Sequence, residues 1–201
     1  MGLVKQPPPS VRFAAVFSHS PEVLARVWPR LEGVWGPLAV LGTAFHFVES
    51  EYYLRTMCPG TPQLFKQLGV FAEPYDPGQL AQDKLQSNRW EEEWGEEWGW
   101  GEILVDSGLV ADRSLRLVNI DPGYMSMTKL VLASTKNREH RLYLQSGIYA
   151  EVTLAYRDQR WQAFPWTYAD YQRSDVLEYL TRAREWFTRK VATDSRGQVK
   201  G

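Results

Sequence analysis

Two copies of one local signal constrain the fold of this chain more than any other feature. In each copy, an apolar or aromatic run is followed by a capping residue and a proline, first at Ser20-Pro21 and again at Asp76-Pro77. The capping side chain accepts a hydrogen bond from a free N–H group of the first helical turn, and proline at that position needs no such bond. Each signal therefore predicts a strand that leads directly into a helix.

Four runs that are rich in strand-forming residues surround these two helix starts. They cover residues 11–17, 38–48, 64–71 and 115–120. The resulting order of strand, helix, strand, strand, helix, strand is that of a ferredoxin-like split βαβ sandwich. We therefore predict an α+β fold in which four antiparallel strands carry both helices on one face. A C-terminal β-hairpin and a helix that begins near Ser174 extend this core.

Length and composition favour one domain. The chain has 201 residues, of which 44% are hydrophobic and 23% charged, and these values are ordinary for a globular domain. Three consecutive prolines at positions 7–9 oppose a helix at the start. We predict a disordered lead over residues 1–10, a single domain over 11–190 and a flexible tail over 191–201.

Charge and cysteine content exclude several classes of protein. A net charge of -1 supplies no overall field that would attract nucleic acid or an anionic membrane. Cys58 is the only cysteine, so an intramolecular disulfide and a thiolate metal cluster are both excluded. The N-terminus lacks the apolar core of a signal peptide, and no window is apolar enough to span a membrane. We expect a cytoplasmic protein whose folding does not depend on a metal.

Residues 89–102 alternate tryptophan with glutamate, and two interpretations stay open. In the first, the tryptophans cover the core while the glutamates remain in water. In the second, the segment is an acidic aromatic surface that binds a protein partner through Trp94 and Trp98. The clustered glutamates argue against nucleic acid as that partner.

Residues 140–154 predict a β-hairpin with one polar and one dry face. A three-residue loop at 145–147 would place Leu144 opposite Ile148 and Tyr143 opposite Tyr149. A two-residue loop would slip the pairing by one and mix the two faces. The longer loop is therefore predicted.

The same register places Arg141 opposite Glu151 on the polar face. As an exposed cross-strand pair, they would contribute about 0.2 to 1 kcal/mol. Adjacent strand residues point to opposite faces, so His140 should diverge from both. A metal site that combines His140 with Asp121 and Glu151 is therefore not expected.

Cations and hydroxyl groups near the hairpin suggest a site for a small anionic ligand. Lys129 and Lys136 flank an apolar segment that ends at Ser134. If both lysines converge with Arg141, the three cations would bind a phosphate or carboxylate group, such as the phosphate of a nucleotide or of RNA. Two tyrosines of the hairpin would stack a base or sugar. The predicted ligand-binding residues are Lys129, Ser134, Lys136, Arg141, Tyr143 and Tyr149.

An enzyme acting on a phosphorylated substrate is the alternative, with Asp121 or Glu151 as metal ligand or general base. The competing structural role of Asp121 is to open a type II turn over residues 121–124. No Gly-Lys pair is present, so the chain lacks a P-loop, and Cys58 has no histidine nearby in sequence. The sequence therefore identifies no cofactor.

Five motifs follow one another in the second half of the chain: NIDPGY, KLVLASTK, HRLYL, GIYAEVTL and WTYADY. In this order they resemble the domain-of-unknown-function 4416 (DUF4416) family. The apolar run at 11–17 and the turn at 35–37 are similar to the beginning of that family, so the resemblance covers nearly the whole chain. The segment at 89–102 departs from the family pattern. The resemblance implies no established activity.

Overall fold

A computed structural model of the chain describes residues 2–47, 57, 63–98 and 116–197. Within these residues, nine strands form one sheet. They are β1 Ser10–Ser18, β2 Leu38–Leu41, β3 Phe45–Phe47, β4 Leu64–Pro74, β5 Val118–Ser126, β6 Lys129–Ser134, β7 Leu142–Gln145, β8 Ile148–Arg157 and β9 Arg160–Ala163. The α-helices of the described ranges are α1 Pro21–Trp35, α2 Leu80–Glu97 and α3 Ser174–Gly197.

The sheet is open, and its described strand pairs are all antiparallel. The main path runs β2-β4-β1-β5-β6-β8-β7, while β3 also pairs with β4 and β9 with β8. The predicted α+β class and the antiparallel pairing of the core strands are confirmed. The predicted second strand at 38–48 is divided into β2 and β3.

Both predicted caps form, but only the first opens an α-helix directly. The Ser20 hydroxyl accepts a hydrogen bond from the backbone N–H of Glu22 at 3.2 Å, and α1 begins at Pro21. Asp76 accepts a hydrogen bond from the N–H of Gly78 at 2.9 Å, but it caps a 3₁₀ turn, and α2 begins at Leu80. Two sequence signals thus fix where the chain leaves β1 and β4.

The three helices cover both faces of the sheet, two on one face and one on the other. α1 and α2 share one face, where Trp35 of α1 packs with Phe71 of β4 and Trp90 of α2. α3 covers the other face through buried side chains that include Leu180 and Phe187. The prediction that the first two helices share a face is confirmed. None of the helices described here has the length and apolar character needed to span a membrane.

Trp90 and Trp94 belong to the core between α1 and α2. They are 8% and 6% exposed, and their rings stack at 5.5 Å between centroids. Trp98 continues the stack at 5.8 Å from Trp94 and lies under the Arg26 guanidinium at 4.2 Å. The packing interpretation is therefore confirmed for Trp90 and Trp94, but Glu91, which was expected to lie in water, is buried at 3% exposure. Residues 99–102 lie outside the described ranges.

The hairpin keeps part of its predicted register. Leu142 lies opposite Ala150 and Tyr143 opposite Tyr149, as predicted. Leu142 is nevertheless 76% exposed, so the dry face does not extend to β7. The reason is that β7 is the last of the described strands on the path of the sheet, and among them it pairs with β8 alone.

The predicted three-residue loop is wrong. Gln145, rather than Leu144, lies opposite Ile148, and the turn consists of Ser146 and Gly147. Both turn residues have positive φ angles, 51° and 78°, as a two-residue hairpin turn of type I′ requires. A bulge between residues 143 and 145 absorbs the one-residue shift, which is why the pairing of the tyrosines survives.

β5 and β6 pair over only a short distance. Their register covers residues 123–125 of β5 and 130–132 of β6. Gly123 allows this close approach, since a Cβ there would lie 2.3 Å from the Val131 carbonyl oxygen. Before Gly123 the outer edge of β5 has no strand beside it among the described residues. The sheet therefore opens between β5 and β6.

Two side chains of α2 occupy this open edge of β5. The N–H group of Ile120 donates to Glu91 at 2.7 Å, and its carbonyl oxygen accepts from the Lys84 ammonium at 2.8 Å. Both backbone groups would otherwise be buried without a partner. A glutamate and a lysine thus substitute for a neighbouring strand.

The predicted type II turn at 121–124 is wrong, because these residues lie inside β5. In an antiparallel strand, alternate residues direct their backbone groups to the same edge. Pro122 therefore faces the outer edge, as Ile120 does. β6 does not pair with that edge, so the missing N–H of Pro122 removes no ladder hydrogen bond.

The ends of the chain differ from one another. Residues 2–9 form no regular structure before β1 begins at Ser10. At the other end, α3 continues to Gly197, well into the segment predicted as a tail.

Candidate functional site

An open cleft of about 690 Å³ lies beside the base of the hairpin. Residues 138–141, which precede β7, line one side, and Pro165, Trp166 and Tyr168 line the other. The second side belongs to the segment between β9 and α3. We call this the hairpin cleft. Its volume is typical of sites for small molecules.

A stack of three rings joins the two sides of the hairpin cleft, and two of them, His140 and Trp166, line it. Phe164 and Trp166 lie 4.8 Å apart with an angle of 1° between their planes, and Trp166 and His140 lie 5.2 Å apart with an angle of 5°. The Trp166 indole N–H donates to the carbonyl oxygen of Val152 at 3.0 Å. This bond holds the stack against β8.

Arg141 and Glu151 form an ion pair behind the cleft. Arg141 Nε donates to Glu151 Oε2 at 2.6 Å, and the two side chains are 4% and 3% exposed. The predicted partners are confirmed, but the prediction of an exposed pair is wrong. The segment that precedes α3 covers the hairpin here, since Thr167 donates to the carbonyl oxygen of Thr153 at 2.6 Å.

A second nitrogen of the Arg141 guanidinium is also engaged. Its NH1 group donates to the Ser134 hydroxyl at 2.7 Å and to the Lys136 carbonyl oxygen at 2.9 Å. Burial lowers the pKa of Arg141, but the interactions with Glu151 and Tyr168 outweigh burial and raise this pKa above its ordinary value. The guanidinium is charged and committed to acceptors of the protein.

His140 meets Glu151, so the prediction that they diverge is wrong. His140 Nε2 lies 3.1 Å from Glu151 Oε2. β7 begins only at Leu142, and the Arg141 N–H donates to the Arg138 carbonyl oxygen at 3.0 Å. Residues 138–141 therefore form a turn, and strand alternation does not apply to His140.

The lysines of the predicted anion site do not converge. Lys129 begins β6 opposite Ala155, whereas Ser134 ends it opposite Tyr149. Five steps along a strand span about 16 Å. Lys136 follows Ser134 at the hairpin end, so Lys129 is remote from it and from Arg141. Arg138 instead supplies an exposed guanidinium to the cleft.

The two tyrosines of the hairpin pack on each other. Tyr143 and Tyr149 lie 5.5 Å apart in an edge-to-face arrangement. Neither lines the hairpin cleft. The structure therefore brings Ser134, Arg141 and Glu151 together, and leaves both tyrosines on the outer part of the hairpin.

Asp121 belongs to a second polar group, which we call the inner cluster: Lys66, Asn119, Asp121 and Asp170. On β1, Phe17 lies opposite Lys66 of β4 and Asn119 of β5. Directly opposed residues of antiparallel strands share a face. Ala15, two residues away on that face, lies opposite Asp121.

Asp170 completes the inner cluster from the 3₁₀ turn Ala169–Gln172. Its Oδ2 atom lies 2.5 Å from the Lys66 ammonium, and the side chains are 6% and 5% exposed. The ammonium also lies 5.1 Å from the centre of the Phe17 ring and 5.0 Å from that of Tyr171. Charge and aromatic rings together hold Lys66 in place.

Asp121 links the inner cluster to the open edge of β5. Lys84 donates to Asp121 Oδ1 at 3.0 Å. Burial raises the pKa of the Asp121 carboxyl, but the Lys84 and Lys66 ammonium groups outweigh burial and hold it below its ordinary value. The Asp121 side chain remains 27% exposed, so the cluster reaches solvent as an ionised carboxylate.

Two polar atoms of the inner cluster have no hydrogen-bond partner. Four buried side-chain nitrogen or oxygen atoms of the described residues lack one, and they include Asn119 Nδ2 and Asp170 Oδ1. The Asn119 amide faces Asp121 without meeting hydrogen-bond geometry. Folded proteins contain few such groups, and each calls for an explanation.

The two predicted catalytic carboxylates do not form one centre. Asp121 is bound by Lys84, and Glu151 by Arg141. Across the described ranges, no three His, Cys, Asp or Glu side chains are grouped as a metal site requires. The hypothesis of a mixed site of His140, Asp121 and Glu151 therefore has no geometric support in this part of the chain.

Several site residues escaped sequence reasoning. They are Lys66, Lys84, Arg138, Trp166, Tyr168 and Asp170. The WTYADY motif at 166–171 carries three of them and was the available signal, because it brings an acid and three aromatic residues to the start of a predicted helix.

Comparison with known proteins identifies the family of this chain. The model of a family described as a domain of unknown function, DUF4416, matches residues 8–187 and so includes the hairpin cleft and the inner cluster. No curated protein and no solved structure matches the chain. Because the family match covers most of the chain, this protein belongs to the DUF4416 family.

Proposed function

We propose that the protein binds a small anionic ligand, such as a nucleotide, in the hairpin cleft. The observation that carries this proposal is the meeting of Arg138, Tyr168 and the stacked rings in one cleft of about 690 Å³. A cation, a hydroxyl group and an aromatic surface are the groups that recognise a phosphate attached to a planar ring.

The ligand contacts are assigned to Arg138 rather than Arg141. Arg138 is exposed and forms no ion pair among the described residues, so its guanidinium is available to a phosphate or carboxylate. Arg141 already serves Glu151 and Ser134. Its role in the proposal is to hold residues 138–141 in the turn that forms the cleft wall.

The aromatic part of the ligand extends the ring stack. Phe164, Trp166 and His140 already lie nearly parallel, and His140 and Trp166 both line the cleft. Stacking of a base on an aromatic side chain contributes about 1 to 3 kcal/mol. This preference favours a nucleotide over a phosphate without a ring.

The binding proposal is preferred to the phosphate-directed enzyme for two reasons. A carboxylate with a lowered pKa, as at Asp121, is a weak general base at neutral pH. Glu151 accepts from Arg141 and lies within hydrogen-bonding distance of His140, which opposes a role as base or metal ligand.

We also infer that β1, β2, β4 and β5 with α1 and α2 form a ferredoxin-like core. The strand order β2-β4-β1-β5, the antiparallel pairing and the shared face of the two helices support this inference. We further infer a cytoplasmic location, because the single cysteine cannot form the intramolecular disulfides that are common in oxidising compartments.

Thermal melting with a panel of nucleotides and inorganic phosphate tests the binding proposal. A ligand that binds the folded state raises the melting temperature. We expect a shift for wild type, and a loss of affinity of about tenfold or more in Arg138→Ala, equivalent to 1.4 kcal/mol. Trp166→Leu should weaken nucleotides more than inorganic phosphate.

Arg157→Ala is the matched control, because Arg157 is an exposed arginine at the far end of β8. It should bind like wild type. The proposal fails if no panel member shifts wild type, or if Arg138→Ala and Arg157→Ala give the same affinity.

A further inference from the structure

We propose that the inner cluster is a second ligand site, which takes a neutral molecule with adjacent hydroxyl groups, such as a sugar or the ribose of a nucleoside. The proposal is independent of the hairpin cleft. It rests on the two unpartnered polar atoms, on the pairing of the surrounding charges and on the shape of the sheet at this point.

The unpartnered atoms select the kind of group that is bound. Asn119 Nδ2 is a donor and Asp170 Oδ1 is an acceptor, and both residues are more than nine-tenths buried. A hydroxyl group both accepts and donates, so hydroxyl groups satisfy both atoms. A carboxylate or phosphate satisfies Asn119 but is repelled by Asp170.

The surrounding charges select a neutral ligand. Lys66 pairs with Asp170 at 2.5 Å, and Lys84 pairs with Asp121 at 3.0 Å. Beside them, Arg116 pairs with Glu91 at 2.8 Å. Lys84 also lies 3.8 Å from Glu91, so these three cations together balance three anions. A charged ligand would leave an unpaired charge in a buried place, which is strongly unfavourable.

Asp121 is the part of the inner cluster that solvent reaches. β5 and β6 separate before Gly123, Lys84 and Glu91 bond to the edge of β5 there, and the Asp121 side chain beside them is 27% exposed. Its ionised carboxylate accepts charge-assisted hydrogen bonds from hydroxyl groups. The Phe17 and Tyr171 rings beside Lys66 offer apolar surface for the C–H groups of a sugar.

Binding of ribose, glucose, glycerol and adenosine, each measured by calorimetry and thermal melting, tests the proposal. We expect at least one vicinal diol to bind, and its deoxy analogue to bind at least about tenfold more weakly, as the loss of a hydrogen bond to a charged group predicts. Inorganic phosphate should not compete.

Asn119→Leu supplies the variant. In the free protein this change removes an unpaired donor and replaces it with an apolar group of similar size, so it should leave the melting temperature equal or higher. Diol binding should be lost. If the leucine variant does not fold, Asp121→Asn keeps the volume of the side chain and should weaken diol binding about tenfold.

Arg138→Ala separates this proposal from the hairpin cleft, since it should leave diol binding unchanged. Three results would overturn the second site. They are the absence of binding by every diol, equal binding of diol and deoxy analogue, and unchanged diol binding in a folded Asn119→Leu protein. A bound water alone would account for the first result.

Discussion

Lys66–Asp170 and Arg141–Glu151 are both buried ion pairs, but they differ in how completely their polar atoms are used. Arg141 donates to three acceptors, and Glu151 lies within hydrogen-bonding distance of two partners. In the other pair, Asp170 Oδ1 has no partner. The more extensively bonded pair therefore belongs to the framework of the hairpin cleft, whereas Asp170 Oδ1 is one of the two atoms on which the proposed second site depends.

One segment covers both pairs. Residues 164–173 place Trp166 and Thr167 against β8, and a few residues later they place Asp170 on Lys66. The two sites thus depend on the same stretch of chain before α3. A change that releases this segment would disturb both sites, while a change within one pair tests that pair alone.

The largest effect is expected from Glu151→Ala. It leaves Arg141 charged and buried without its carboxylate, which costs about 3 to 5 kcal/mol in the free energy of unfolding. Chemical denaturation followed by circular dichroism measures this loss. Glu151→Gln, which retains an acceptor, should cost less.

A cost for Glu151→Ala below about 1 kcal/mol would mean that the pair behaves like an exposed one. Arg141–Glu151 could then no longer be treated as a buried ion pair. The expected cost for Arg141→Ala rises with burial in the same way, above the limit of about 1 kcal/mol that an exposed pair predicts.

The second prediction concerns replacement of each whole pair by apolar residues. Lys66→Met alone should cost about 3 kcal/mol, because Asp170 stays buried and unpaired. The double change Lys66→Met with Asp170→Leu should recover most of this loss, since the Phe17 and Tyr171 rings already provide apolar neighbours.

Arg141→Met with Glu151→Leu should recover much less. Ser134 and the Lys136 carbonyl oxygen would lose the donor that they share. Two double-mutant cycles, measured by denaturation, compare the pairs directly. If both double variants recover the same free energy of unfolding, the two pairs do not differ in how many of their hydrogen bonds depend on the charged groups.

The features of the fold that could be predicted are those encoded locally. The caps at Ser20 and Asp76 identified the start of α1 and that of the 3₁₀ turn leading into α2. The tyrosine pairing of the hairpin was predicted with a three-residue loop, and it holds because the bulge offsets the shorter turn. The hairpin turn could not be predicted in the same way. Its type depends on whether a bulge is tolerated at Leu144, and this tolerance comes from the position of β7 at the sheet edge.

The candidate sites were harder to predict, because burial there comes from distant parts of the chain. Arg141 and Glu151 follow from register, but their burial depends on the segment at 164–173. A lysine in a strand is normally solvated, so the burial of Lys66 could not be expected from its own segment. Its partner Asp170 is 104 positions away in the sequence. Likewise, Pro122 predicted a turn, but it lies inside β5 at an edge with which β6 does not pair, so its missing N–H removes no ladder hydrogen bond.

The smallest effect concerns the response of the inner cluster to acid. The pKa of Asp121 is lower in the folded protein than in the unfolded chain. Its ionised form therefore stabilises the fold above the unfolded pKa of about 4, and this stabilisation is lost as the pH falls through the folded pKa. Asp121→Asn should reduce stability at neutral pH and flatten the part of the stability curve below pH about 4.

Asp175 offers a matched control, because Arg173 lowers the pKa of its carboxyl in the same direction but both side chains are exposed. Salt screens exposed charges more strongly than buried ones. Added salt should therefore diminish the effect of Asp175→Asn and leave most of that of Asp121→Asn, as measured by thermal melts at several pH values. If salt removes both effects equally, Asp121 acts as a surface charge, and the inner cluster is not the enclosed site that its unpartnered atoms indicate.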